Sequence, residues 1–199
     1  RTFIETAFQD EKKIILAKKR MSPLKNAKGQ LWNRTWDHVA WHAVNLPTRD
    51  ASGDKQAFLG NYGSVQAPAA LREGRYTGPT THKWDDGIAS LCVPVELKAG
   101  EERSVLFTVG AAESQSQALV KARRYMDFSE VDNAWGRTEM FWDKYIGAFP
   151  VETPDKGFDL LTNTWLKYQA LSGRLWGRTA YYQMGGAYGF RDQLQDSQV

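Results

Sequence analysis

Two aspartates, four residues apart, close a segment that is dense in aromatic residues, glycine and arginine. The segment spans residues 174–197 and reads RLWGRTAYYQMGGAYGFRDQLQDS. Asp192 and Asp196 would share one face of a helix, because residues four apart are neighbours there. A carboxyl group that keeps its proton can serve as a general acid, and an ionised one as a base. The spacing alone also fits an N-cap aspartate at Asp192 followed by a surface acid.

Neighbouring residues could hold a ligand near this pair. Gly185 and Gly186 let the backbone turn sharply and approach a bound molecule closely. Arg191 places a permanent positive charge beside Asp192, and contact between them would favour the ionised carboxylate. We therefore expect the Arg191 side chain to point toward Asp196 or a backbone carbonyl instead.

Helical spacing of apolar residues precedes this segment. Two helical stretches are predicted between Glu113 and Tyr145, and a third over residues 155–176. The first has Ser114 or Ser116 as its cap, and the second begins at Ser129 with Asp132 three residues on. The apolar residues of the third are Phe158, Leu161, Trp165, Tyr168 and Leu171, joined by Gln169.

The first half of the chain has the pattern of short β-strands. Turn signals separate the strands and are strongest over residues 46–54. A turn over residues 98–102 predicts a hairpin between the last two strands, so the fold expected for this half is an antiparallel β-sandwich. The predicted strands are residues 12–17, 35–45, 89–97 and 103–109.

Composition argues against several classes of protein. The net charge is +3, and the cluster at residues 12–20 is interrupted by Ile14, Ile15 and Leu16. This pattern favours a solvated, lysine-rich strand edge over a nucleic-acid site. No apolar run reaches the ~18 residues of a membrane span and no signal peptide is visible, which predicts a cytoplasmic protein without membrane contact. The single cysteine, Cys92, is interpreted as a packed thiol.

Histidine and tryptophan give weaker indications. His38 and His42 would lie about 13 Å apart on a strand, too far for a shared ion, so no metal is predicted. Eight tryptophans fit either sugar-stacking surfaces or a large core.

Residues 181–197, YYQMGGAYGFRDQLQDS, resemble the signature of the inverting disaccharide phosphorylases of glycoside hydrolase family 94. Residues 163–169, NTWLKYQ, are similar to the first barrel helix of that family. Residues 58–64, FLGNYGS, with the following Pro-Ala-Ala-Leu at 68–71, resemble an element of its N-terminal sandwich. The resemblance implies an α+β multidomain fold in the order antiparallel β-sandwich, helical linker and the start of an (α/α)6 barrel.

The resemblance also assigns domains and residues. It implies the sandwich over residues 1–111, the linker over 112–150 and the barrel over 151–199. The family's proton donor corresponds to Asp192. Substrate contacts are expected at Phe190, which replaces a tryptophan of several members, and at Tyr188, Arg191, Asn61 and Tyr62. The phosphate-site residues are expected in the later barrel, so we interpret the chain as an incomplete enzyme, inactive alone.

The activity implied is a hexosyl transfer: phosphorolysis of a β-linked, cellobiose-like gluco-oligosaccharide to an α-sugar 1-phosphate. No cofactor is expected, inorganic phosphate is the co-substrate, and a homodimer of the full-length enzyme is compatible with the resemblance. One alternative is an inverting hydrolase on the same barrel, which needs a second carboxylate as base. Another is a non-catalytic carbohydrate-binding module, which requires Trp32, Trp36 and Trp41 exposed on one sheet face. Alternation along a strand puts Trp36 and Trp41 on opposite faces.

Overall fold

A computed structural model describes residues 4–9, 13–20, 24–30, 37–74, 86–176, 179–180, 183–184, 191, 194–195 and 198. The chain divides into two compact units, Arg1–Asp132 and Asn133–Val199. Among the described residues, no helix is long and apolar enough to cross a membrane.

The first unit is built on a four-stranded antiparallel sheet. Its strands are β1 (Ile4–Gln9), β2 (Ile14–Lys19), β3 (Val39–Val44) and β6 (Phe107–Ala112), in the order β1-β2-β3-β6. The pairing aligns Ile4 with Lys19, and the next strand pair aligns Lys18 with Val39. The antiparallel sheet predicted for the first half of the chain is confirmed, and it contains strands at three of the four predicted places.

A second, two-stranded sheet pairs β4 (Asp50–Asp54) with β5 (Gly87–Cys92). The predicted hairpin between β5 and β6 is therefore wrong, because β6 pairs with β3 in the other sheet. The predicted strand over 89–97 stops at Cys92, and Pro94 lies two residues further on. Proline lacks the N–H that a sheet ladder needs, so the chain leaves β5 and crosses to the first sheet.

Residues 50–54 were predicted as part of a turn and instead form β4. The sequence Asp-Ala-Ser-Gly-Asp has low strand propensity, but Ala51 and Ser52 are buried and paired with β5. Tertiary pairing and burial outweigh local propensity here. Two short helices that were not predicted follow at α1 (Lys55–Leu59) and α2 (Ala69–Arg72).

The core of the first unit lies between the four-stranded sheet and helix α3 (Gln115–Arg124). Trp41, only 6% exposed, packs in this core with the fully buried Ala118 and Ala122 of α3. A buried Trp41 contradicts the exposed tryptophan face that a binding module would need. Trp32 and Trp36 lie outside the described residues. The remaining members of the core cluster are Ile14, Leu16, Val39, Ala43 and Ala112.

The lysine-rich segment does not form a sheet edge as predicted. It lies on β2, which is hydrogen-bonded to β1 on one side and to β3 on the other. The apolar start of this strand supplies core residues, while Lys19 and Arg20 at its end are exposed. The segment is thus an interior strand with a charged end.

Two helices follow the sheets, as predicted. The Ser114 hydroxyl accepts a hydrogen bond from the Gln117 N–H at 3.3 Å and caps α3. The next helix, α4, spans Phe128–Ile146, and the boundary between the two units falls within it. The Asp127 carboxylate accepts hydrogen bonds from the Ser129 N–H and hydroxyl, at 2.7 and 2.6 Å. Asp127 therefore takes the capping role that was predicted for Ser129.

Candidate active site

The segment with the predicted catalytic residue is described only in part. A short antiparallel ladder joins β7 (Thr179–Ala180) to β8 (Gln183–Met184). Arg191 is exposed and its backbone is helical, as is that of residues 194 and 195. Tyr188, Phe190, Asp192 and Asp196 lie outside the described residues, so their predicted roles stay predictions.

A composite helix over residues 156–176 leads into this segment, as the apolar spacing predicted. It consists of α5 (Lys156–Leu160), a π-helical stretch, α6 (Lys167–Gln169) and a second π-helical stretch that ends at Trp176. The Asp155 carboxylate caps it by accepting the N–H groups of Gly157 and Phe158, at 2.8 and 3.2 Å. π-helical turns are rare and are often found near functional sites.

Side chains of the composite helix hold the preceding loop in place. The Asn163 carboxamide bonds both backbone groups of Val151, accepting its N–H and donating to its carbonyl oxygen, each at 2.7 Å. The Lys167 ammonium donates to the carbonyl oxygens of Ile146, Ala148 and Phe149, at 3.0, 2.6 and 3.2 Å. The bond to Ile146 satisfies a carbonyl group that the end of α4 leaves without a helical partner, and the other bonds hold the loop that follows.

Asp159 completes this set. Its carboxylate accepts the N–H and hydroxyl of Thr153, both at 2.8 Å, and the Lys156 ammonium at 3.2 Å. The Thr153 hydroxyl hydrogen bond and then the Lys156 hydrogen bond lower the pKa of Asp159, against the opposing effect of burial. Asp159, Asn163 and Lys167 follow one another at intervals of four, and we call these three residues the polar clamp.

The polar clamp was missed by reading the sequence for apolar spacing alone. The interval of four was visible, but many surface helices have polar residues at that interval. The loop carbonyls that the clamp binds give it its role, and these are brought to it only by the tertiary fold.

Aromatic rings join the composite helix to α4 within the second unit. Tyr168 lies 5.1 Å from Trp142 and 6.0 Å from Trp165 between ring centroids. Phe141 contacts Trp142 edge to face at 5.4 Å and Tyr145 at 4.5 Å. These separations are those of favourable aromatic pairs. The predicted apolar residues Phe158 and Trp165 remain about half exposed among the described atoms.

The loop with Asn61 and Tyr62 belongs to the first unit and connects α1 to α2. Asp54 caps α1 by accepting the N–H groups of Gln56 and Ala57. Tyr62 has a left-handed backbone, φ 59°, and its side chain is fully exposed. Left-handed tyrosine is uncommon and costs free energy, so the surrounding fold must impose it.

Two glycines fix the shape of this loop. A Cβ on Gly60 would lie 2.6 Å from the Ala69 Cβ, and a Cβ on Gly63 would lie 1.8 Å from the Leu59 carbonyl oxygen. Gly60 is required by its positive φ of 79° as well as by close packing, and Gly63 is required by close packing. The loop presents Asn61 and Tyr62 to solvent on a closely packed base.

His42 lies in β3 and His38 directly precedes it, and the two do not belong to any group of metal-ligating side chains among the described residues. His42 is half-buried, and its Nδ1 lies 2.9 Å from the Ala89 carbonyl oxygen of β5, which links the two sheets. His38 is exposed near the start of β3. Within the described part of the chain, no group of three metal-ligating side chains is present.

Comparison with known protein families identifies the chain. Residues 1–128 match the model described as Glycosyl hydrolase 94, supersandwich domain. Residues 141–199 match that of the Glycosyl hydrolase 94 superfamily, catalytic domain. The chain belongs to the glycosyl hydrolase 94 family, as the resemblance at residues 58–71, 163–169 and 181–197 predicted.

Similar proteins include a synthase and several phosphorylases. The chain is 38% identical over 148 residues to the cyclic beta-(1,2)-glucan synthase NdvB of Rhizobium meliloti (strain 1021), covering 73% of the chain and 5% of the synthase. It is 30% identical over 173 residues to the N,N'-diacetylchitobiose phosphorylase of Vibrio furnissii, covering 84% and 21%. It is 30% identical over 168 residues to the 3-O-beta-D-glucopyranosyl-beta-D-glucuronide phosphorylase of Paenibacillus borealis, covering 81% and 20%. The chain thus spans between 5% and 21% of the length of these three relatives.

Proposed function

We propose that the chain works within an inverting phosphorylase that cleaves a β-linked gluco-oligosaccharide with inorganic phosphate. The observation that carries this proposal is the catalytic-domain match over residues 141–199, which includes Asp192, together with relatives that are named disaccharide phosphorylases. The proposed domain order is a sandwich over 1–111, a linker over 112–150 and the start of an (α/α)6 barrel over 151–199.

The proposed reaction needs a single carboxylic acid from the protein. Phosphate attacks the anomeric carbon from the face opposite the glycosidic oxygen, and the bond from that carbon to the oxygen breaks. Asp192 gives its proton to the departing oxygen, and the β-linkage becomes an α-sugar 1-phosphate. Phosphate is already an anion near neutral pH, so the second carboxylate that activates water in inverting hydrolases is not needed.

Aromatic and polar groups would hold the sugar for this step. Phe190 and Tyr188 offer aromatic faces for the sugar ring, and Arg191 offers hydrogen-bond donors. Asn61 and Tyr62 supply exposed groups on the closely packed loop of the first unit.

A second candidate concerns the linkage. The 38% identity to a cyclic beta-(1,2)-glucan synthase favours a β-1,2-linked glucan as the substrate, in place of a cellobiose-like one. One assay distinguishes the two candidate substrates. The complete enzyme is incubated with sophorose and longer β-1,2-gluco-oligosaccharides, and separately with cellobiose, laminaribiose and chitobiose, each with and without phosphate. Release of sugar 1-phosphate identifies the linkage, and phosphate-independent cleavage would favour the hydrolase alternative.

The role of Asp192 is tested by Asp192→Asn in the complete enzyme. The variant keeps the shape of the side chain but has no proton to transfer. General acid catalysis contributes about 10²–10⁴-fold, so we expect kcat for disaccharide phosphorolysis to fall by about that factor, with a smaller change in KM.

Two comparisons control this experiment. Asp196→Asn should lose much less activity, and a glycosyl fluoride, whose leaving group needs no protonation, should restore part of the loss in the Asp192 variant alone. Near-normal phosphorolysis by Asp192→Asn with a dead Asp196→Asn would move the acid to Asp196. Near-normal activity of both variants would show that neither aspartate is the general acid.

A further inference from the structure

An open cavity of about 510 Å3, lined mainly by residues with charged or polar side chains, lies at one end of the four-stranded sheet in the first unit. Its described walls come from the end of β2, the approach to β3 and the junction of β6 with α3. Ligand sites commonly have volumes of about 300–1,000 Å3, so the cavity has room for sugar units. We call it the sheet-end basin.

Four lining residues already make hydrogen bonds to one another. The Arg20 guanidinium binds both carboxylate oxygens of Glu5, at 3.1 and 3.0 Å, and the Lys18 ammonium donates to the Gln115 carboxamide. The Glu5–Arg20 pair has no net charge. These contacts fix one side of the sheet-end basin.

Three other charged side chains line the same space. Within the described residues, the side chains of Lys19, Asp37 and Glu113 form no hydrogen bond or ion pair, and all three are exposed. They present one cation and two carboxylates. With the positive charge of Lys18, the described lining as a whole carries three cations and three carboxylates.

The equal number of cations and carboxylates in the lining favours an uncharged ligand that can both donate and accept hydrogen bonds. An anion such as phosphate would meet two carboxylates that have no cation bound to them, which costs free energy. A metal ion would need a cluster of ligands that the described residues do not provide. A sugar hydroxyl both donates and accepts hydrogen bonds, so it can donate to a carboxylate while it accepts from an ammonium group.

The sheet-end basin and the Asn61–Tyr62 loop both lie toward the end of the strands at which β1 begins. Gly87, at the end of β5 that pairs with Asp54, approaches β1 where Glu5 lies: a Cβ on Gly87 would be 3.9 Å from Ile4 Cγ2 and 3.5 Å from Thr6 Cγ2. Asp54 leads directly into α1 and the loop. The loop and the sheet-end basin therefore lie toward the same end of the strands but on opposite faces of the sheet, because Ile4 and Thr6 alternate with Glu5 along β1.

We propose that the sheet-end basin is an accessory subsite for uncharged sugar units of the oligosaccharide, with Asp37 and Glu113 as acceptors and Lys19 as a donor. The inference takes its ligand class from the proposed function, but it concerns binding and not bond cleavage.

Binding of neutral tetrasaccharides to the 199-residue chain tests this. Cellotetraose and β-1,2-linked glucotetraose are titrated separately by calorimetry, and inorganic phosphate is titrated as a third probe. Hydrogen bonds to charged groups are the stronger kind, so Asp37→Asn combined with Glu113→Gln should raise Kd for the preferred tetrasaccharide by about tenfold or more. Both residues are exposed, and circular dichroism should show an unchanged fold.

Matched variants locate the site. Glu102→Gln and Lys28→Ala change exposed charges of the same unit outside the basin and should leave Kd unchanged. Tyr62→Ala should leave part of the binding in place, because the basin remains. The proposal is overturned if neither tetrasaccharide binds at about 10 mM, which is tenfold above a Kd of 1 mM, if the double variant binds normally, or if phosphate binds and the sugars do not.

This outcome is separate from that of the proposed function. If the sugars do not bind but Asp192→Asn loses phosphorolysis as expected, only the accessory-subsite proposal is overturned. If sugars bind at the basin but the complete enzyme releases no sugar 1-phosphate, only the phosphorylase proposal is overturned.

Discussion

The two units of this chain are stabilised by different interactions. The first buries apolar side chains between a sheet and α3, with Ile14 fully buried and Trp41 nearly so. In the described residues of the second unit, Asp159 is the one buried side chain, and Trp165 is 54% exposed. That unit is held by aromatic contacts and by the polar clamp. In the described residues, buried apolar side chains stabilise the first unit, whereas hydrogen bonds to backbone groups and aromatic contacts hold the start of the second.

The largest expected effect is loss of burial in the first unit. Ile14→Ala removes a fully buried side chain from β2 and should lower the free energy of unfolding by about 2–5 kcal/mol. Denaturant unfolding followed by tryptophan fluorescence measures this. Val109→Ala, at a side chain that is 80% exposed on β6, is the matched control and should change stability by less than about 0.5 kcal/mol. Equal losses in both variants would contradict a core centred on β2.

A pair of glycine substitutions gives the next largest contrast. A Cβ on Gly110 would lie 2.2 Å from Trp41 Cζ2, so Gly110→Ala should destabilise the first unit by about 1–3 kcal/mol. Gly136 lies within α4 with open space around the same position, so Gly136→Ala should stabilise that helix by about 0.5–1 kcal/mol. Thermal unfolding should move in opposite directions for the two variants. A shift in the same direction would show that the close contact with Trp41 does not control this position.

The smallest expected effect is a pH dependence in the second unit. The Thr153 hydroxyl and Lys156 lower the pKa of Asp159 below its unfolded value, which lies near 3.8. The stabilisation is thus complete above the unfolded pKa and is lost as the pH falls through the lower folded pKa. Unfolding of Asp159→Asn, measured between pH 5 and about pH 2, should depend less on pH than unfolding of the unchanged chain. Asp143→Asn, at an exposed position of α4, should keep the original pH dependence, and loss of it there would contradict this assignment.

The sequence predicted local features well where one local signal dominated. Ser114 caps α3, and the composite helix runs from Lys156 to Trp176, because capping groups and apolar spacing act within a few residues. The pairing of β2 (Ile14–Lys19) with β3 (Val39–Val44) lies where strongly β-forming residues predicted strands. The hairpin over residues 98–102 was wrong, because a turn sequence predicts a reversal of the chain but does not choose the partner strand.

The candidate site shows the same division. The family and the position of Asp192 could be identified from a local motif, since glycines, aromatics and an Arg-Asp pair stand at fixed intervals in the chain. The polar clamp and the sheet-end basin could not, because their contacts join residues that are distant in sequence. Lys18 meets Gln115 across 97 residues, and the Lys167 ammonium meets Ile146 across 21.

The family, the order of sheet and helices, and the residue proposed as the acid could all be predicted from the amino-acid sequence. These depend on residue types at short intervals, where side chains act on neighbouring backbone. Three features became visible only in the folded chain: residues 50–54 form a strand, β6 pairs with β3, and Trp41 is buried against α3. Each of these depends on which distant surfaces exclude water together, and the burial gained there outweighs local propensity.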